Sequence, residues 1–239
     1  MTWDWAVFLN DDGSGRTYLE WLFEAWQWTL AVAGGSWLVA VIVGALVGTA
    51  RTLPNSPWLV RLANAWVELF RNIPILVQIF IWYFVVPRLF PFFQQVPGYL
   101  LVVFALGFFT SARIAEQVRA GIQSLPRGQR YAGMAMGFTT AQTYRYVLLP
   151  MAFRIILPPL TSESMNLLKN SSVAFAVSIP ELTMYAMQVQ EETSRGIEVY
   201  LVVTAAYALS AFAVNRVFAF TERRMQVRGF IVAGLASWG

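Results

Sequence analysis

The chain has no cysteine and no histidine, and its single lysine is Lys169. Without thiol or imidazole it forms no disulfide, no thiolate or imidazole metal centre, no haem ligation through either side chain, and no triad that needs an imidazole base. No G-x-x-x-x-G-K-[ST] run exists, so nucleotide cannot be held by a P-loop, and G-x-S-x-G and H-E-x-x-H are missing as well. Charge is also scarce: 13% of the 239 residues are Asp, Glu, Lys or Arg, against 57% hydrophobic. A soluble globule of this length needs far more polar surface, so the composition points to an integral membrane protein.

What is present is apolar length. Thr29 to Ala50 is an uncharged run that meets the roughly 20 residues a helix needs to cross a bilayer. Asp4, Asp11 and Asp12 precede it where a secretory leader carries basic residues, and Arg51 closes it, so it is expected to stay as the first span. Trp21, Trp26 and Trp28 mark an interfacial aromatic belt before it.

The pattern predicts an all-α membrane protein in one transmembrane domain over 1–239, with five spans at about 26–50, 63–86, 98–123, 155–179 and 199–220. Pro54-Asn55-Ser56-Pro57 is a turn, and the loop at Pro87, Pro91 and Pro97 carries only Arg88. Twelve basic residues fall in the loops and span ends assigned to the inner side, among them Arg223, Arg224 and Arg228, against Arg16, Arg88 and Arg195 outside. By the positive-inside rule the amino end is expected outside and the carboxyl end inside. The same rule accounts for a sequence pI near 9.6 without nucleic acid as a partner. No internal repeat or low-complexity segment is apparent.

The fourth expected span is unusual. Pro158 and Pro159 interrupt it, and Thr161, Ser162, Glu163, Ser164, Asn166, Lys169 and Asn170 fill its middle. An ionisable side chain at bilayer depth costs several kcal/mol unless it is paired or wet, which makes Glu163 and Lys169 functional candidates. On a helix Glu163, Asn166 and Asn170 share one face at i, i+3 and i+7, a face suited to a water-filled cavity. Lys169 sits beside that face; it either satisfies carbonyls freed by the prolines or pairs with a neighbouring helix. Arg113 and Glu116 lie one turn apart on the third span. They read equally as a mutually neutralising pair or as a functional one in which Arg113 presents its planar fork to a carboxylate.

Between the third and fourth spans lies a stretch that looks soluble, Leu125 to Pro150. Thr139 with Gln142 three residues on is a capping-box signature, so one short helix should end at Gly137 and a second start near Thr140. Small residues on the first helix, Ala132, Gly133 and Ala135, would let another protein's backbone approach. An ordinary surface helical hairpin fits the composition equally well.

Tyr131-Ala132-Gly133, Gly137, Val147 and Leu149-Pro150 resemble the cytoplasmic loop of ABC-importer permeases, E-A-A, three residues, G, nine residues, I-x-L-P. Spacing matches throughout, with Tyr131 in place of the usual Glu and Gly133 in place of the second Ala. Glu68, Arg71, Pro74 and Gln78, then Glu116 before Arg119-Ala120-Gly121, and Glu163 ahead of Leu167-Leu168-Lys169-Asn170 are similar to the polar amino-acid branch, and the whole most resembles its glutamate/aspartate permeases.

The resemblance implies a type I importer fold with no cofactor, no resident metal and no enzymatic activity of its own. It implies these partners: a second permease subunit, a heterodimer being favoured; an ATPase dimer gripping Tyr131, Ala132, Gly133, Gly137, Val147 and Pro150; a periplasmic solute-binding protein; an amino-acid substrate; and the lipid of a bacterial inner membrane. Branch members that import cationic amino acids tend to carry an acid where Asn170 stands, and many relatives have an aromatic residue in place of Arg113. Both departures suit an acidic cargo, with Arg113 on its side-chain carboxylate, Glu163 on its ammonium, and Asn166 and Asn170 as neutral hydrogen-bonders. The alternatives are a permease for glutamine, asparagine or histidine whose cargo is chosen by the binding protein or the paired subunit, and a passive channel.

Overall fold

The computed structural model of the chain describes residues 3–225, so Arg228 lies outside the described residues. The long helix α1, Tyr18–Ala50, begins at a capping box: Thr17 Oγ1 accepts from the Glu20 N–H while the Glu20 carboxylate accepts from the Thr17 N–H. At 1.5 Å per residue its 33 residues give about 50 Å, more than the hydrocarbon core requires. One stripe of α1 shows Leu38, Ile42 and Leu46 to the surroundings. Another, Ser36, Ala40, Gly44 and Gly48 at every fourth residue, is buried against α5, Gly98–Gln123.

Small residues let these two backbones meet. A Cβ on Gly44 would stand 2.7 Å from Ile114 Cβ, and one on Gly48 would stand 2.7 Å from the Ala115 carbonyl oxygen. On the α5 side, a Cβ on Gly107 would meet Val39 Cγ1 at 2.6 Å. In lipid, where apolar side chains gain little from leaving the solvent, such close packing is what holds helices together. The α1–α5 pair is the backbone of the fold.

The helix α2, Pro57–Asn72, is followed by α3, Ile75–Phe80, a π-turn at Ile81–Val85, and α4, Val86–Leu89. A bend of 106° separates α2 from the Ile75–Leu89 piece, so the stretch expected as one span over 63–86 is an elbow at Pro74. Gln78 holds the bend: its Nε2 donates to the Phe70 carbonyl at 2.9 Å and the Ile73 carbonyl at 2.8 Å, both left open where α2 stops.

After α5 come α6, Arg127–Ala135, α7, Thr140–Thr143, a second π-turn at Tyr144–Leu148, and α8, Leu149–Asn170. Each π-turn ends two residues before a proline, Pro87 or Pro150. A proline ring crowds the carbonyl four residues back, and the wider turn relieves it. A 3-10 stretch, Ser171–Val177, leads to α9, Leu182–Thr193, and α10, Gly196–Met225. The segment over 180–198 is therefore largely a helix, packed on α1 and α10 through Leu182, Tyr185, Ala186 and Val189. The amino-terminal residues are fastened to the same end, with Asp4 on Arg195 at 3.3 Å and the Asp4 N–H donating to Glu198.

Three helices among the described residues are long and apolar enough to cross a membrane: Tyr18–Ala50, Gly98–Gln123 and Gly196–Arg224. The bent pair around Pro74 raises the number to four if it counts as one crossing. The prolines and polar face of α8 keep it out of that set.

Candidate functional site

Arg113 projects from α5 and Glu163 from α8, and the two face each other with Arg113 Nη1 4.0 Å from Glu163 Oε2. The Arg113 side chain is 46% exposed and that of Glu163 13%. Phe109, one turn before Arg113, lies under its guanidinium at 5.1 Å, which fixes the fork in direction. Asn166 and Asn170 are both half-buried on the following turns of α8. Opposite charges at 4.0 Å are attracted without closing a short hydrogen bond, which leaves both groups with unused bonding capacity.

Glu116 does not pair with Arg113. Its Oε1 meets Arg51 Nη1 at 3.0 Å and Arg71 Nη1 at 3.3 Å, and Arg51 Nε donates to Asn64 at 2.7 Å. The neutralising Arg113–Glu116 pair that the spacing allowed is thus replaced by a cluster tying the end of α1 and the helix α2 to α5. Arg51 read in the sequence only as the charge that closes a span; no local pattern there announces Asn64 or Glu116 as its partners.

Lys169 is exposed. It stands about 20 Å along the helix from the carbonyls of Arg154 and Ile155 that Pro158 and Pro159 leave open, so it does not satisfy them. Glu68, Arg71 and Pro74 are exposed around the elbow, whereas Gln78 is buried beneath it.

The 125–150 stretch is a helical hairpin. The chain leaves α6 with the Phe138 N–H on the Gly133 carbonyl and the Gly137 N–H on the Met134 carbonyl, a turn that needs the left-handed φ of +80° at Gly137. Thr139 and Gln142 form the capping box that opens α7. Gly133 is not available to an approaching backbone: it is buried against Thr143, and a Cβ there would stand 2.9 Å from Thr143 Cγ2. What the hairpin displays is Tyr131, Met134, Met136 and Tyr146, with Ala132, Gly137 and Pro150 also exposed and Val147 half-buried.

A shallow hollow of about 500 Å³ lies between α9 and α10, lined by Gln190, Gly196, Ile197, Tyr200, Leu201 and Thr204. It shares no residue with the Arg113–Glu163 pair. No group of His, Cys, Asp and Glu among the described residues is arranged to hold a metal ion.

The chain as a whole is similar to known proteins. The chain is 41% identical over 240 residues to the glutamate/aspartate import permease protein GltJ of Escherichia coli (strain K12), covering 96% of this chain and 97% of that one. It is 33% identical over 197 residues to the probable glutamine ABC transporter permease protein GlnM of Bacillus subtilis (strain 168), covering 82% and 87%. Among solved structures, an amino acid ABC transporter crystallised with histidines matches with a TM-score of 0.76 at 29% identity, covering 94% of this chain and all of that one. The methionine transporter MetNI shares the fold at 22% identity with a TM-score of 0.73. Residues 40–227 match the family described as binding-protein-dependent transport system inner membrane component, and the chain belongs to that family.

Proposed function

We propose that this member of the inner-membrane permease family imports acidic amino acids, glutamate and aspartate, and that Arg113 and Glu163 take the cargo between them. Family membership brings an ATPase, an external binding protein and a second permease subunit as working partners; in the reading proposed here that second subunit is a different chain. Hydrolysis belongs to the ATPase.

The 4.0 Å Arg113–Glu163 pair carries the reading. A zwitterion with an extra carboxylate offers an ammonium to Glu163 and a carboxylate to the Arg113 fork, so cargo replaces one charge contact with two of shorter range. Asn166 and Asn170 supply neutral donors for the remaining carboxylate. Similarity to a relative named a glutamate/aspartate permease supports the acidic cargo.

In this reading the chain crosses the membrane five times, with α8 as a span wetted along its polar face and the elbow at Pro74 completing another. The amino end is outside, and the 125–150 hairpin hangs in the cytosol, where Tyr131, Ala132, Gly137, Val147 and Pro150 meet the ATPase. Gly133 serves from within by letting α6 and α7 close on each other. Closure of the ATPase dimer then rocks the helices around the Arg113–Glu163 pair.

In the reconstituted transporter Arg113→Ala abolishes the stimulation of ATP hydrolysis by glutamate; undiminished stimulation and uptake overturn the assignment. Relatives named as glutamine permeases support a second reading, in which the binding protein or the paired subunit selects the cargo. Exchange of the binding protein then changes the cargo, and Arg113→Ala leaves it alone.

A further inference from the structure

The hairpin is continuous with both members of the Arg113–Glu163 pair. Its helix α6 follows α5, which carries Arg113, across residues 124–126, and the π-turn at Tyr144–Leu148 runs without a break into α8, which carries Glu163. A hydrogen bond ties the root of α8 to the other side. The Tyr144 hydroxyl donates at 2.6 Å to the carbonyl of Thr52, just past the end of α1.

Whatever moves Thr52 moves α5. Gly44 and Gly48 seat α1 on α5 with no space for so much as a methyl group, and next to Thr52, Arg51 holds Glu116 at 3.0 Å. Glu116 lies on α5 three residues after Arg113. Tyr144 itself is 5% exposed, its ring packed in one apolar cluster with Ile114 and Val118 of α5 and Ala152 and Ile156 of α8. A buried phenol needs a partner for its hydroxyl, and a main-chain carbonyl that a helix end leaves open is a fixed one.

We infer that Tyr144 is a positioning residue: its hydroxyl is the strut that locks the root of α8 to the α1–α5 unit, so that the two halves of the Arg113–Glu163 pair follow the hairpin together. This rests on the proposed docking of the hairpin on the ATPase. Tyr144 is buried where Tyr131, Met134 and Met136 are exposed, and it acts on transmission, not on grip. Without the strut α8 and the α1–α5 unit follow the hairpin from opposite ends of it and out of step, and nucleotide is hydrolysed with less cargo moved.

The test is Tyr144→Phe in the complete complex, which keeps the ring and removes the hydroxyl. Hydrolysis and co-purification of the ATPase stay at the parent level, while glutamate moved per ATP falls about three- to tenfold, the size expected for one coupling contact. Because the chain has no native cysteine, Leu46→Cys on α1 and Phe153→Cys on α8 accept spin labels cleanly. Trapping with ATP and vanadate leaves their separation sharply distributed in the parent and broadened in Tyr144→Phe.

An unchanged transport ratio with an unchanged distance distribution overturns the strut. Loss of ATPase binding overturns it too, since the hydroxyl would then belong to the docking surface. Failure of glutamate to stimulate the parent complex counts against the cargo proposed above, and the distance measurement still decides the role of Tyr144.

Discussion

Arg113 on α5 and Glu163 on α8 stand 4.0 Å apart, the one half exposed and the other nearly covered. Glu116, a single turn from Arg113, is already held by Arg51 and Arg71, so Arg113 has no second carboxylate among these to turn to. An arginine left to one long-range partner on a polar helix face is suited to exchange that partner for a ligand.

Replacing Glu163 by Gln keeps the shape and removes the charge that meets the ammonium. Hydrogen bonds to charged groups contribute about 1.5–3 kcal/mol, so the concentration of glutamate for half-maximal uptake rises about 10- to 100-fold. Uptake into proteoliposomes at varied glutamate measures this. An unaltered half-saturation point removes Glu163 from the site.

Gly44→Leu drives a large side chain into Ile114 Cβ and the Ser111 carbonyl, where even a Cβ would stand at 2.7 and 2.9 Å. Overpacking of this kind costs about 1–3 kcal/mol or more, and the α1–α5 contact can relax only by separating. Thermal denaturation in detergent should show a clear fall in midpoint. Leu46→Ala, on the exposed stripe of the same helix, should leave it in place.

Gln78→Leu removes both bonds that close the elbow and leaves the Phe70 and Ile73 carbonyls unpaired. The expected loss is about 1–3 kcal/mol, read as faster hydrogen exchange across residues 70–78. Protection equal to the parent's would mean that the bend is held by something else.

Asp12 supplies a pH dependence. The Ser14 hydroxyl and then the Arg16 guanidinium, at 2.6 Å from opposite carboxylate oxygens, hold its carboxyl down to about 2 from an ordinary 3.8. A depressed pKa favours the folded loop above the ordinary value, and the contribution is lost as pH falls from about 4 through about 2. Hydrogen exchange of the Gly13–Thr17 amides should accelerate over that window beyond its intrinsic pH dependence, and Asp12→Asn should abolish the excess.

Much of this is legible in the sequence. The apolar run at 98–123 coincides with α5, and the chemistry of Thr139, Gln142 and Gly137 marked both ends of the hairpin break, because capping is decided by residues within one turn. The shared face of Glu163, Asn166 and Asn170 followed from helical spacing alone. What periodicity cannot supply is partner choice across helices. Arg113 and Glu116 are neighbours in sequence, yet each finds its charge on another element. The same holds for Gly133, whose small size serves a contact with Thr143 inside the hairpin. The ridge of Ser36, Ala40, Gly44 and Gly48 did carry a signal, small residues at every fourth position, which marks the face that packs on another helix. The bend at Pro74 was hidden because an apolar run reads alike whether straight or folded.

The most direct test is a structure of the assembled transporter with glutamate trapped by a hydrolysis-deficient ATPase. The proposal places the amino acid between α5 and α8, a carboxylate on the Arg113 guanidinium and the ammonium on Glu163, with the two side chains no longer facing each other directly. Glutamate bound elsewhere, with Arg113 and Glu163 still opposed across 4.0 Å, would contradict it.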